Sequence, residues 1–547
     1  MNKLTEILKN LIKGEVIDED LDNFSYDKSI FKIKPQIVIF PYDEDDIKKI
    51  ITFIQDKIKD NNLYLTARSA GTDMSGGALT DSILLVFTKY MNKILEINSQ
   101  EKYVILQPGV YFRELEKELD KYNLMVPSYP ASKDLCALGG MVANNSGGEK
   151  TIKYGKTENY VLGLNVILSD GNEYYFEKVS GEKLKAKLSL QNFEGEIYRN
   201  IYTLLKNNYD LIKKSKPRVS KNSAGYNIWS AYSLNDKGEE VLDLTKLFVG
   251  SQGTLGIITK IKFKLVNKPQ NKKLAVLFLK NIKQINEILD FLLNLQPASL
   301  EITDDHTFKI FIKYAKEMAE ILGFKGIVST IKLFLPEIKL ILKNGIPKLI
   351  VLVEFESDNE EEIKNKLNSL VSMCKNKNFQ LTICQSKIEE EKYWKIRRDT
   401  YKLLREKIKN RVAAPFVDDI IVEPHFLSDF LPKLISILDR YKLLYTISGH
   451  LGDGNLHIIP LLDIKKEKNK ILPVMEEIYD LTISYNGSIT AEHNDGLIRG
   501  WYLKKMFGEE IFQIFSQIKK IFDPNSIFNR YKKIQATKDY SFNHLID

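Results

Sequence analysis

Apolar residues recur along the first seventy positions at two spacings, and each spacing marks an element. In KPQIVIFPYDEDDIKKIITFIQDKIKDNNLYLTAR a short apolar run stops at Pro41. Ile47, Ile50, Ile51 and Ile54 then follow at helical spacing behind an acidic first turn, and LYLTAR returns to strand character. The pattern predicts a strand–helix–strand unit that runs into the small-residue loop SAGTDMSGG. Residues 1–32 place apolar and charged residues at helical spacing and read as a helical lead-in. From 103 to 265 short strands alternate with turns. VLGLNVILSDGNEYYFE predicts a hairpin about Asp170-Gly171, and LFVGSQGTLGIITKIKFKL a helix end or turn followed by a strand.

The pattern changes after VNKPQNK, a polar, proline-bearing break near 266–272 that marks a domain boundary. KLAVLFLKNIKQINEILDFLLNLQPASLEI and KLIVLVEFESDNEEEIKNKLNSLVSMCKNKNFQLTI each read strand, helix, strand. Two such units predict an antiparallel sheet backed by helices, ferredoxin-like. The expected fold class is α+β, with a lead-in over 1–32, a first domain over 33–267, a second over 268–535 and a tail over 536–547. A chain of 547 residues is too long for one core, in keeping with that division.

Composition narrows the setting more than the function. Lys and Arg number 80 against 72 Asp and Glu, an excess that spread over this length reads first as solvated lysine faces. No basic stripe interleaves with aromatic residues, which argues against a nucleic-acid partner. Cys136, Cys374 and Cys384 form no C-x-x-C pair, so neither a disulfide framework nor an iron–sulfur centre is indicated. The first residues lack the features of a signal peptide, and no apolar run reaches the length of a membrane span. The expected location is the cytoplasm, with any membrane contact peripheral and at the inner face.

Chemistry concentrates in GHLGDGNLHI, residues 449–458. LYTISGH and NLHIIP read as two strands over a Gly-Asp-Gly turn, which brings His450 and His457 together on one face. Two imidazoles and a carboxylate make a common site for zinc, manganese or iron, with zinc the first choice. Glu492 is the natural third ligand, since ITAEH reads as a short strand after the helix stop at Asn486-Gly487. Neighbours on a strand point to opposite sides. Glu492 is therefore expected to bind the ion, and His493 to serve as a base, its resting pKa near 6.5 suiting proton transfer at neutral pH.

Three small-residue loops remain: ARSAGTDMSGGA, LGGMVANNSGGEKTIKYG and GSQGTLGIIT. Each lets backbone approach a ligand closely, and consecutive N–H groups in the first suit a diphosphate. Taken in order with PYDEDDIKKII and QPGVYFRELEKEL, these loops resemble the FAD-binding domain of the vanillyl-alcohol oxidase family. WKIRR, GHLGDGNLH, AEHNDG and FDPNSIFN resemble its branch of D-lactate dehydrogenases, glycolate oxidases and D-2-hydroxyglutarate dehydrogenases. The resemblance covers about residues 25–535.

That resemblance implies non-covalent FAD. The diphosphate would lie on Ser69, Ala70, Gly71, Thr72 and Asp73, with Ser75 nearby. Pro130, Ser132, Gly139, Gly140, Asn144, Ser146, Gly147, Gly148, Tyr154 and Gly155 would line the isoalloxazine and ribityl region, and Ile257 and Ile258 the adenine side. Ser69 and Ala70 depart from the glycines usual in that loop. The resemblance also implies a metal on His450, His457 and Glu492, and makes Arg397 the clamp for a substrate carboxylate, with Arg398 the alternative if the helix is rotated. A D-2-hydroxy acid would then lose its hydroxyl proton to His493 and a hydride to flavin N5. Val417 stands where D-2-hydroxyglutarate enzymes carry a lysine, and Ile459 where they carry an asparagine, so a monocarboxylate such as D-lactate is favoured. Glycolate, D-2-hydroxyglutarate or a sugar acid remain alternative substrates. A quinone, cytochrome, electron-transfer flavoprotein or oxygen could receive the electrons. A homodimer, an FAD-binding subunit of a larger redox complex and a flavin-free metal hydrolase stay open.

Overall fold

The computed structural model describes residues 3–61, 63–313, 345–407 and 411–546. The helix Glu44–Asn61 opens on three acidic residues that favour its N-terminus, and its Ile47, Ile50, Ile51 and Ile54 are fully buried. The flanking strands Ile37–Phe40 and Leu65–Arg68 do not pair with each other. Ile83–Val86 lies between them, parallel to both. Glu15–Ile17 adds an antiparallel edge to this sheet, so the lead-in is helical only over Lys3–Leu11 and then becomes strand. The reason is local: Asp46 accepts the N–H groups of Lys13, Gly14 and Tyr42, pinning the lead-in beside the first strand.

A seven-stranded antiparallel sheet follows, in the order Tyr232–Leu234, Glu240–Asp243, Glu173–Ser180, Val161–Ile167, Ile257–Lys264, Tyr103–Leu106, Ile94–Asn98. Its central hairpin turns at Asp170-Gly171, where Gly171 adopts φ 82°.

The second sheet region carries the ferredoxin-like order. Gln380–Ile383, Asn271–Leu279, Leu349–Ser357 and Ser299–Asp304 lie side by side and antiparallel, the fourth, first, third and second strands in chain order. Ser299–Asp304 then pairs with Leu444–His450, which forms a hairpin with Asn455–Leu462. The histidine strands thus extend one continuous sheet, with Glu301 directly opposite His450.

Residues 268–535 do not pack as a single block. The helix Leu503–Phe522 places Ile511, Ile514, Phe515, Ile518 and Phe522 in the core beneath the seven-stranded sheet. Ile527 and Phe528 then enter the core of the first sheet. The expected tail is also structured: it holds the helix Lys538–Asn543, and Leu545 bridges to Phe31. Among the described residues, no helix is long and apolar enough to cross a membrane.

Candidate active site

The three small-residue loops meet. Asp73 is their junction: one carboxylate oxygen accepts from Ser75 N, Ser75 Oγ and Gly77 N, and the other from Asn144 Nδ2 at 2.7 Å. Gln252 of the third loop donates to Ser75 Oγ at 3.0 Å and to Asn144 Oδ1 at 3.3 Å. The N–H groups of Ala70, Gly71 and Thr72 make no hydrogen bond to the described residues, and Ser69 to Asp73 are half-buried. A row of unpaired donors on a partly covered turn fits a diphosphate.

The remaining positions along the loops fall as follows. A Cβ on Gly139 would lie 2.7 Å from Ser69 Oγ, and one on Gly148 would lie 2.2 Å from the carbonyl oxygen of Tyr129, next to Pro130. Gly140 and Ser146 are half-buried alongside, as is Ser132. Tyr154 donates to Glu356 of the second sheet at 3.1 Å, and Gly155 turns the chain with φ 74°. Ile257 is fully buried in the core under the first sheet, while Ile258 is half-buried.

The histidine hairpin forms as expected. Ser448 pairs with His457, so His450 and His457 share a face, and their Nε2 atoms are 3.2 Å apart. Glu492 Oε1 lies 3.1 Å from His450 Nε2 and 3.4 Å from His457 Nε2. Ligands held about 2.0–2.2 Å from a tetrahedral zinc ion stand roughly 3.3–3.5 Å apart. The triangle, with edges of 3.1, 3.2 and 3.4 Å, is slightly tighter than one face of such a site.

ITAEH is not a strand. Residues 488–493 form a turn around the carboxylate of Asp419, whose Oδ2 accepts from Thr490 Oγ1 and from the N–H groups of Ala491, Glu492 and His493. The strand argument for opposed side chains fails with it: His493 Nε2 is 4.0 Å from Glu492 Oε1, on the same side. Asp419, His457, Glu492 and His493 present donor atoms within 4.8 Å of one another. Asp419 is already committed to the turn, which leaves the two histidines and Glu492 as the available ligands of that group.

Charged side chains stand behind this cluster. Glu301 accepts from His450 Nδ1 at 2.6 Å and from Arg397 Nε at 2.9 Å. Asp418 lies 3.2 Å from His457 Nδ1 and 2.8 Å from His493 Nδ1. Lys221 stands 3.2 Å from Glu492 Oε2. Arg398 pairs with Glu149 and lies over Trp394. Glu301, Asp418, Asp419 and Lys221 escaped the sequence reading. FVDDIIV held the readable signal for two of them, since adjacent carboxylates inside an apolar strand must find partners.

Burial opposes charge throughout, but the opposed partners outweigh it. The His457 pKa is pushed up to about 9, against burial, by Asp418 and Glu492. His493 is raised against burial by Asp419 and Asp418. Glu492 is held well below the usual carboxylate range, against burial, first by Lys221 and then by His450. Glu492 also joins the two regions: a Cβ on Gly147 would lie 2.6 Å from its Oε2. The carboxylate thus sits against the second small-residue loop.

Comparison with known proteins identifies both halves of the chain. The family described as FAD binding domain matches residues 35–174, and that described as FAD linked oxidases, C-terminal domain, matches residues 268–533. The chain is 26% identical over 540 residues to D-2-hydroxyglutarate dehydrogenase of Escherichia coli, covering 97% of this chain and 51% of that protein. It is 26% identical over 517 residues to glycolate oxidase subunit GlcD of Bacillus subtilis, covering 92% and 90%. It is 24% identical over 523 residues to D-lactate dehydrogenase of Archaeoglobus fulgidus, covering 94% and 96%. The chain spans about half the length of several of the curated relatives it matches. In fold it is similar to p-cresol methylhydroxylase, with a TM-score of 0.66 at 13% identity, covering 97% of this chain and 96% of that one. It is also similar to 4-ethylphenol oxidase from Gulosibacter chungangensis, with a TM-score of 0.65 at 16% identity, covering 96% and 95%. Converging loops with unpaired N–H groups, and a second domain that seats its polar cluster on one of them, accord with both family matches: the chain carries an FAD binding domain followed by the C-terminal domain of FAD linked oxidases.

Proposed function

We propose that this chain oxidises a D-2-hydroxy acid, D-lactate first, to the 2-oxo acid. The observation that carries the reading is the cluster of His450, His457, Glu492 and His493, set against the loop at Gly147 through Glu492. Bound FAD supplies the two-electron acceptor, and a divalent cation supplies a Lewis acid for the hydroxyl. His450 Nε2, His457 Nε2 and Glu492 Oε1 would hold the cation. His493 Nε2 takes the hydroxyl proton. Arg397, steadied through Nε by Glu301, keeps its terminal N–H groups for the substrate carboxylate.

The side of the site next to His457 supports a small side chain. Ile459, two residues along the same strand face, packs with Ala413, Leu461 and Met74. An apolar wall suits a methyl group and penalises an unpaired second carboxylate. Relatives named D-2-hydroxyglutarate dehydrogenase make the dicarboxylate the alternative. Anaerobic visible spectra discriminate. D-lactate is expected to bleach the oxidised flavin of the purified protein, and L-lactate to leave it. Bleaching by D-2-hydroxyglutarate alone would replace the substrate, and no bleaching by any 2-hydroxy acid would defeat the reading.

Metal uptake should also depend on pH. With its pKa at about 9, His457 carries a proton in the metal-free chain at neutral pH, and the cation must displace it. Apparent zinc affinity is therefore expected to rise by up to about tenfold per pH unit below that pKa and to level off above it. Chelator competition between pH 6.5 and 9.5 measures this; an affinity that stays flat to pH 8.5 would contradict it.

A further inference from the structure

The neighbours Asp418 and Asp419 divide two tasks. Asp419 holds the turn that carries Glu492 and His493. Asp418, fully buried, faces the two stacked imidazoles of His457 and His493, whose ring centres are 5.0 Å apart at 23°. Its Oδ1 meets His457 Nδ1 at 3.2 Å and its Oδ2 meets His493 Nδ1 at 2.8 Å. Asp418 Oδ2 and His493 Nδ1 are both buried, and neither makes an aligned hydrogen bond with any described residue, so at 2.8 Å each is the other's nearest charged neighbour. The Asp418 backbone is itself fixed, since its carbonyl oxygen accepts from the buried Arg499 at 2.7 Å.

We propose that Asp418 is a positioning residue that orients two imidazoles at once, the metal-side His457 and the base His493, and fixes which nitrogen each ring presents to the site. This rests on the roles given to those two rings above. A carboxylate only accepts. A ring that bonds Asp418 through Nδ1, as His457 does, must therefore carry its proton there; with His493 turned the same way, both Nε2 lone pairs lie on the Glu492 side, at 3.4 Å and 4.0 Å from its Oε1. One lone pair serves a cation and the other a proton. Asparagine breaks this symmetry: its amide accepts at one atom and donates at the other. In Asp418→Asn only one ring keeps its orientation and protonation, and the other presents an N–H where a lone pair is needed.

The test is 15N spectroscopy of the histidine side chains in the full-length protein loaded with FAD and zinc, with signals assigned from His457→Ala and His493→Ala. The expected wild-type result is a solvent-protected Nδ1–H on both rings. The expected Asp418→Asn result is loss of one of the two. It should be accompanied by zinc retention about 10–100-fold weaker if His457 turns, or by flavin reduction about 10–100-fold slower if His493 turns. A wild-type ring protonated at Nε2 alone overturns the proposal without any variant, and so does an Asp418→Asn protein that keeps both Nδ1–H signals. Two intact wild-type signals together with a fully active His493→Ala protein would instead remove His493 as the base while leaving its orientation by Asp418 established.

Discussion

Replacing His493 with alanine is expected to slow substrate reduction of the flavin by roughly 10²–10⁴-fold, the usual worth of a positioned general base. The side chain is well isolated for such a test. It is about one-fifth exposed, its Nδ1 faces Asp418, and its backbone N–H, which alanine retains, is what joins the turn at Asp419. FAD content and zinc content should therefore stay near wild type, so the defect falls on the proton. Single-turnover mixing with D-lactate measures it, and a variant that reduces its flavin at the wild-type rate would remove His493 from the chemistry.

The second large effect is expected at His450. Its Nε2 is one corner of the triangle with His457 and Glu492, and its Nδ1 is tied to Glu301 at 2.6 Å. In His450→Ala the triangle loses a corner, and zinc affinity should fall by more than about 100-fold, since changes one shell further out already cost about 10–100-fold. A cation bound to the reacting oxygen contributes several kcal/mol, so flavin reduction should fall by about 10³-fold. The yellow colour should remain, because the loops around Asp73 do not involve His450. Metal analysis after dialysis decides the matter: one tightly held zinc per chain in His450→Ala would exclude this histidine as a ligand.

The legible and the hidden parts of this site differ in how far apart their causes lie along the chain. The histidine hairpin was readable because its cause is local. Alternation and a Gly-Asp-Gly turn fix the register, and the register sets both imidazoles on one face. The small-residue loops were readable one by one, but their junction was not, since it depends on Asp73, Asn144 and Gln252 meeting from three segments. The turn at 488–493 was misread as strand because what shapes it is a carboxylate some seventy residues earlier. Glu301 and Lys221 were invisible for the same reason: each is an ordinary charged residue until the sheet or the packed loop brings it to a histidine or to Glu492.

The returning helix Leu503–Phe522 has a consequence for how this molecule comes into being. The core beneath the seven-stranded sheet is closed by Ile511, Ile514, Phe515, Ile518 and Phe522, and Asn529 bonds to Gly77 and Gln252 between the first and third loops. On a ribosome these residues emerge some 250 residues after Lys264, the end of the last strand they cover. The nucleotide-binding region, translated before the inserted sheet, is thus completed only after it. The inserted sheet with its histidines must already be outside the exit tunnel when the loops that face it are finally locked.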